Sequence, residues 1–290
     1  MLALVAGLLT AVFFAMSTLG SARATRASPA PPAIAGVMGI GALLMAPVAP
    51  VTSGPLQVGS PDALAWACLA GMANVGGLLL IYAALRVGAV GIVATIASTE
   101  GAIAAVIAVL AGQVLTPAAA GCLAVIVFGV LLAASNGGSE IEDGIVIGRT
   151  RSVRSAVLAI LAATVFGVGL FAIGRATTAL SPAWIVLIGR ITGIVLLGLP
   201  LLALRRASIP AAARPFVILT GVSEVLGYAT YAIGASSNIA LTAVLGSMFA
   251  PIAAVAAFVL FRERLARRQV AGIVVVVVGV AALAALTTQS

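Results

Sequence analysis

Long apolar runs separated by short polar breaks set the pattern of this chain. Two runs near its end, 239–261 and 269–288, are each long enough to cross the roughly 30 Å hydrocarbon core of a bilayer. Between them lies a tight basic connector, Arg262-Glu263-Arg264-Leu265-Ala266-Arg267-Arg268. The same arrangement occurs about 150 residues earlier, a period that marks an internal repeat. There Gln113-Val114-Leu115 stands where Glu263-Arg264-Leu265 stands, and Gly129 where Gly279 does. Applied to the whole chain, the pattern predicts ten helical spans, near 1–19, 33–51, 63–86, 88–111, 116–135, 154–174, 182–204, 213–235, 239–261 and 269–288. The sizeable polar connector, NGGSEIEDGIVIGRTRSVR, starts at Asn136 and ends at Arg154. It divides the chain into a first five-helix repeat at 1–135, a linker at 136–153 and a second five-helix repeat at 154–290.

The halves match beyond hydropathy. Arg23-Ala24-Thr25 followed by Ser28-Pro29 parallels Arg175-Ala176-Thr177 followed by Ser181-Pro182. Ala73 and Gly77 parallel Ser223 and Gly227, small residues four apart of the kind that let helices approach closely in lipid. An odd number of spans per repeat means that two copies in one chain insert with opposite orientation. The expected fold is therefore an all-α membrane protein of ten transmembrane helices, built as two inverted five-helix repeats.

Composition agrees. The 290 residues are 63% hydrophobic and 8% charged, with mean hydropathy +1.29, too apolar for a water-soluble domain. The net charge of +8 could suggest a nucleic-acid partner, but the arginines sit in short loops, where they set membrane orientation. Alternate connectors hold Arg23, Arg26, Arg86, Arg149, Arg151, Arg154, Arg205, Arg206, Arg214, Arg262, Arg264, Arg267 and Arg268, while the opposite side holds Arg175. This bias puts the rich side in the cytoplasm and both termini outside. Residues 1–19 lack a charged n-region and have a counterpart later in the chain, so they are expected to stay as a first helix rather than be cleaved as a signal. The chain has no histidine, and Cys68 and Cys122 lie inside apolar runs, so no metal site, cofactor or disulfide is expected. An intramembrane hydrolase would need a nucleophile with its base, or a metal set, so an enzyme is not expected either.

Charge inside a span costs roughly 3 kcal/mol on insertion scales, so each instance needs a partner or a purpose. Three occur. At 1.5 Å per residue, Arg190 lies about 12 Å beyond Pro182, Glu224 about 15 Å beyond Arg214 and Glu100 about 18 Å beyond Gly88. Arg190 suits an anionic substrate group, or a structural pair with a carboxylate. One arginine against two carboxylates leaves one carboxylate without a cation, a candidate proton carrier, and Glu100 and Glu224 qualify equally. Asn74 occupies in the first half the place of Glu224, and Tyr228 lies one turn beyond Glu224, so both are candidates to line a substrate cavity. Gly101 and Pro251 each weaken a helix at corresponding points, a placement that suits a gate and is also met in membrane helices without one.

These residues resemble the drug/metabolite transporter superfamily, specifically its EamA-type members. The family's closing unit is similar to Pro251, Glu263, Leu265 and Gly279, and more weakly to Gly101, Gln113, Leu115 and Gly129. Ser181, Pro182 and Arg190 resemble its Ser-Pro…Arg segment. This chain departs from the pattern at Ile40, taken as the first-half counterpart of Arg190, at Gln113 in place of glutamate, and at Phe13, Phe14 and Phe166 where tryptophan is common. The resemblance implies a multi-pass cell-membrane secondary transporter, with a small-molecule substrate and membrane lipid as partners and cytoplasmic termini, against the arginine count. Export of a small metabolite or drug by proton exchange and alternating access is the expected activity; a lipid or lipid-linked sugar flippase is the alternative. The sequence leaves open whether the chain forms a homodimer.

Overall fold

The computed structural model describes residues 1–56, 61–85, 93, 96–134, 141–142, 145–146, 149–252 and 267–288. It is helical, with α1 Leu2–Ala27, α2 Ala30–Ser53, α3 Pro61–Leu85, α4 Glu100–Leu110 and α5 Pro117–Ala134 in the first half. The second half has α6 Arg149–Ala176, α7 Pro182–Ala203, α8 Arg214–Ala235, α9 Ile239–Gly246 and α10 Arg267–Thr288. Among the described residues, six helices are long and apolar enough to cross a membrane, namely most of α1, α2, α3, α6, α7 and α8, and the apolar stretches of the other four are shorter. The expected linker carries a two-residue antiparallel pair, Ile141–Glu142 with Ile145–Val146. Its last residues belong to α6, which starts at Arg149, before the expected boundary at 154. Helix α1 likewise continues to Ala27, past the expected end at 19.

The sequence sets many helix starts. Pro61, Pro117 and Pro182 each open a helix, where a missing N–H costs nothing. Asn238 caps α9, its Oδ1 accepting from Leu241 N at 2.8 Å. Within α7, residues Ile194–Gly198 widen into a π-turn just ahead of Pro200, whose ring supplies no N–H to an α-helical ladder.

Packing follows one rule. Helix α1 lies on α8 and α9, α2 on α7 and α8, α3 on α6 and α7, α4 on α6 and α9, and α5 on α10. Exchanging each helix for the one five places away returns the same set of pairs. The rule holds at side-chain level: Gly77 abuts the Phe166 ring as Gly227 abuts Phe14, and Gly129 abuts Val276 as Gly279 abuts Ile126. Small residues thus sit at the closest crossings. The interior they create collects the buried polar groups, while large apolar side chains such as Leu43, Leu110, Val114, Phe128, Leu202 and Val278 point outward. That inside-out distribution is what a lipid solvent selects.

Candidate functional site

Arg190 is built into α7 about two turns after Pro182 and is 2% exposed. Its Nη1 donates to Glu224 Oε2 at 2.7 Å and to Met38 Sδ at 3.4 Å. The guanidinium carbon lies 5.2 Å from the centroid of the Tyr228 ring. Glu224 and Tyr228 are four apart on α8, so one helix face presents both to the arginine. Room for the arginine stem comes from Gly41 on α2, where a β-carbon would stand 2.7 Å from Arg190 Cδ. The sequence offered a structural pair and a substrate contact as readings of Arg190, and the geometry supplies the pair.

The same contacts correct one correspondence. Gly41 meets Arg190 and Val225 just as Gly193 meets Met38 and Val75. The first-half counterpart of Arg190 is therefore Met38 and not Ile40. Spacing between the second and third helices differs by two residues in the two halves, and an alignment on the third helix carries that slip backward. Arg190 with Glu224 thus occupies the place held in the first half by Met38 with Asn74.

Glu100 opens α4 immediately after a break at Ser98–Thr99, where Thr99 N and Oγ1 both donate to the Ile96 carbonyl. It is 8% exposed and makes no hydrogen bond or ion pair among the described residues. Tyr228 and Tyr231 lie within electrostatic reach of its carboxyl. Tyr231 is itself fixed, its hydroxyl donating to the Leu170 carbonyl at 2.9 Å. Tyr228 is thus within electrostatic reach of both the ion pair and the second carboxyl.

Asn74, Arg190 and Tyr228 line one small cavity. Its other walls are Ala70, Gly71, Ile173, Ile185, Val186 and Gly189. Its volume of about 20 Å³ leaves room for a water or two. Two polar atoms of these residues are buried without a hydrogen-bond partner among the described residues, Arg190 Nη2 and Asn74 Oδ1. Glu100 lies outside that lining.

Gly101 sits where α4 crosses α9. A β-carbon there would collide with the Ala243 carbonyl oxygen and stand 2.7 Å from Ser247 Cβ. Pro251 follows a second break, at Ser247–Met248, with Ile252 N bonded back to the Met248 carbonyl. Both helices are thus interrupted at corresponding points. Of the connector motif, Glu263 and Leu265 lie outside the described residues, as does Arg86.

Sequence reasoning missed three neighbours of the site. Met38 was hidden by the two-residue slip, although the Arg-Ala-Thr runs at 23–25 and 175–177, just before both second helices, carry the offset that finds it. Tyr82, hydrogen-bonded to Ser21 and within electrostatic reach of Glu224, gave no signal beyond being aromatic. Phe14 packs edge-on against Tyr228 at 5.0 Å between ring centroids.

The model of the EamA-like transporter family matches the chain twice, over residues 1–135 and 153–285. The chain belongs to that family. As an EamA-like protein it is a membrane transporter of the drug/metabolite type. Among solved structures, one titled only as the crystal structure of a protein superposes with a TM-score of 0.78 over 98% of each chain at 18% identity, which establishes a shared fold. No curated protein matches the sequence.

Proposed function

We propose that this EamA-like chain is a ten-span secondary transporter of the cell membrane, built from two five-helix units of opposite orientation, that exports a small metabolite by alternating access in exchange for protons. One observation carries the mechanism. Arg190 is taken by Glu224, which leaves Glu100 as a buried carboxyl with no cation beside it among the described residues. A carboxyl stripped of water and of counter-charge is cheapest when it holds a proton, and an ionised one must find a partner or water. Glu100 is the proton carrier in this reading, and Arg190, Asn74 and Tyr228 hold the substrate. The two sites communicate through Tyr228. Gly101 and Pro251, beside paired helix breaks, are the points at which α4 and α9 flex to open one side and then the other. The cavity of about 20 Å³ is smaller than any metabolite, so the helices must part to admit the cargo.

The test is flux in proteoliposomes. Glu100→Gln, a shape-preserving mimic of the protonated form, should keep solute-for-solute exchange and lose acceleration by an imposed pH gradient. Glu224→Gln should instead weaken solute exchange itself, because it frees Arg190. A Glu100→Gln protein that still follows the pH gradient as wild type does would remove Glu100 from the mechanism.

A further inference from the structure

The cavity under Arg190 also carries a statement about its ligand, one that rests on the transport reading above. Arg190 is 2% exposed and Asn74 7% exposed, and both line the same small space. Each holds one buried polar atom with no partner among the described residues, a donor in Arg190 Nη2 and an acceptor in Asn74 Oδ1. Buried polar atoms left unpaired are uncommon enough to call for a partner that the protein itself does not supply. The complement of this pair is an acceptor group beside a donor group. A guanidinium has N–H bonds to spare after serving Glu224 through Nη1, and its planar fork matches a carboxylate.

The walls limit what is attached to that carboxylate. Ala70, Ile173, Ile185 and Val186 are aliphatic, and at the waist a β-carbon on Gly71 would stand 2.6 Å from the Gly189 carbonyl oxygen. The aromatic ring at the site, Tyr228, is already engaged by the guanidinium and by the edge of Phe14. We infer that, as the helices part and widen it, the pocket takes a short aliphatic carboxylate with an O–H or N–H donor on the adjacent carbon. The carboxylate meets Arg190 and the donor meets Asn74.

The experiment is counterflow in proteoliposomes loaded with lactate, alanine, propionate, benzoate or tetramethylammonium, with Asn74→Leu beside wild type. Lactate or alanine should exchange at least tenfold faster than propionate or benzoate, and which of the two leads identifies the donor as hydroxyl or ammonium. Asn74→Leu should bring the favoured acid down to the rate of propionate. It should unfold at an equal or higher temperature, because the change removes an unpaired buried acceptor without opening a hole. The inference is overturned if propionate or benzoate matches the favoured acid, or if Asn74→Leu keeps the preference. Exchange of tetramethylammonium alone would overturn it while leaving the transport reading intact; exchange of none of these solutes by a folded protein counts against both.

Discussion

A guanidinium and a carboxylate held 2.7 Å apart away from water are stable only as a pair. Removing one partner of a buried ion pair costs about 3–5 kcal/mol, since the other charge is left uncompensated, whereas replacing both by neutral groups is often neutral. The chain supplies its own neutral replacement, because Met38 and Asn74 fill the corresponding places in the first half. Glu224→Ala should therefore lower the unfolding temperature in detergent markedly. The double variant Arg190→Met with Glu224→Asn should recover most of that loss and still fail to transport, as measured by thermal unfolding and vesicle flux on the same preparations. A double variant less stable than Glu224→Ala would show that the pair contributes more than mutual neutralisation. At this scale the sequence was half legible. Counting residues from a helix start gives the depth of Glu100, Arg190 and Glu224, and three charges show that one carboxyl lacks a cation. Which one is a matter of the direction each side chain faces, and depth carries no such direction. The cavity residues were legible because Asn74 and Glu224 share a repeat position and Tyr228 follows one turn later; Met38 was not, because a two-residue slip separates it from the position the third helix suggests.

Helix ends do more than stop helices here. Helix α4 closes with Gly112 at φ +96°, a backbone conformation that glycine adopts without strain. The Gly112 N–H bonds the Val109 carbonyl and the Gln113 N–H bonds the Ala108 carbonyl, the two-bond closing turn common at helix C-termini. That turn aims Gln113 at α9, where Oε1 accepts from Ala240 N at 3.2 Å, next to the cap made by Asn238. One helix end thereby caps another. Gln113→Ala should cost about 1 kcal/mol, the usual worth of a lost N-terminal cap, read as a lower unfolding temperature with the far-ultraviolet spectrum unchanged. Gly101→Val should do far more, since it drives a branched side chain into the α9 backbone at Ala243, and should both destabilise the protein and stop flux. Helix starts were legible through proline and the apolar runs. The extensions of α1 to Ala27 and of α6 back to Arg149 were not, because hydropathy marks the stretch that sits in lipid while a helix continues wherever its own hydrogen bonds are made. The breaks at Ser98–Thr99 and Ser247–Met248 were visible only as polar residues inside apolar runs, and they fall two to four residues before the Gly101 and Pro251 singled out as weak points.

At the scale of the whole molecule, a set of helix pairs that maps onto itself under a five-place shift is what two copies of one unit facing each other would produce. The polar groups do not obey that symmetry. Arg190 faces Met38, Glu224 corresponds to Asn74, and Glu100 opens the first-half segment that follows its break, where the second half has Phe249. Packing thus holds both halves to one plan, while the buried charges differ between them. The proposed opposite orientation of the halves puts the α6–α7 turn on the arginine-poor side and the α7–α8 turn on the side with Arg205, Arg206 and Arg214. The two assignments of the termini therefore separate cleanly. With Cys68 and Cys122 replaced by alanine, single cysteines can be placed at the exposed Ala179, in the α6–α7 turn, and Ser208, in the α7–α8 turn. If the arginine bias sets orientation, a membrane-impermeant thiol reagent applied to intact cells labels Ala179→Cys, and Ser208→Cys reacts only after lysis. The arginines make one orientation costly wherever the membrane potential and insertion machinery favour cytoplasmic positive charge. The reverse labelling would mean that the termini are cytoplasmic and that this chain inserts against its own arginine bias.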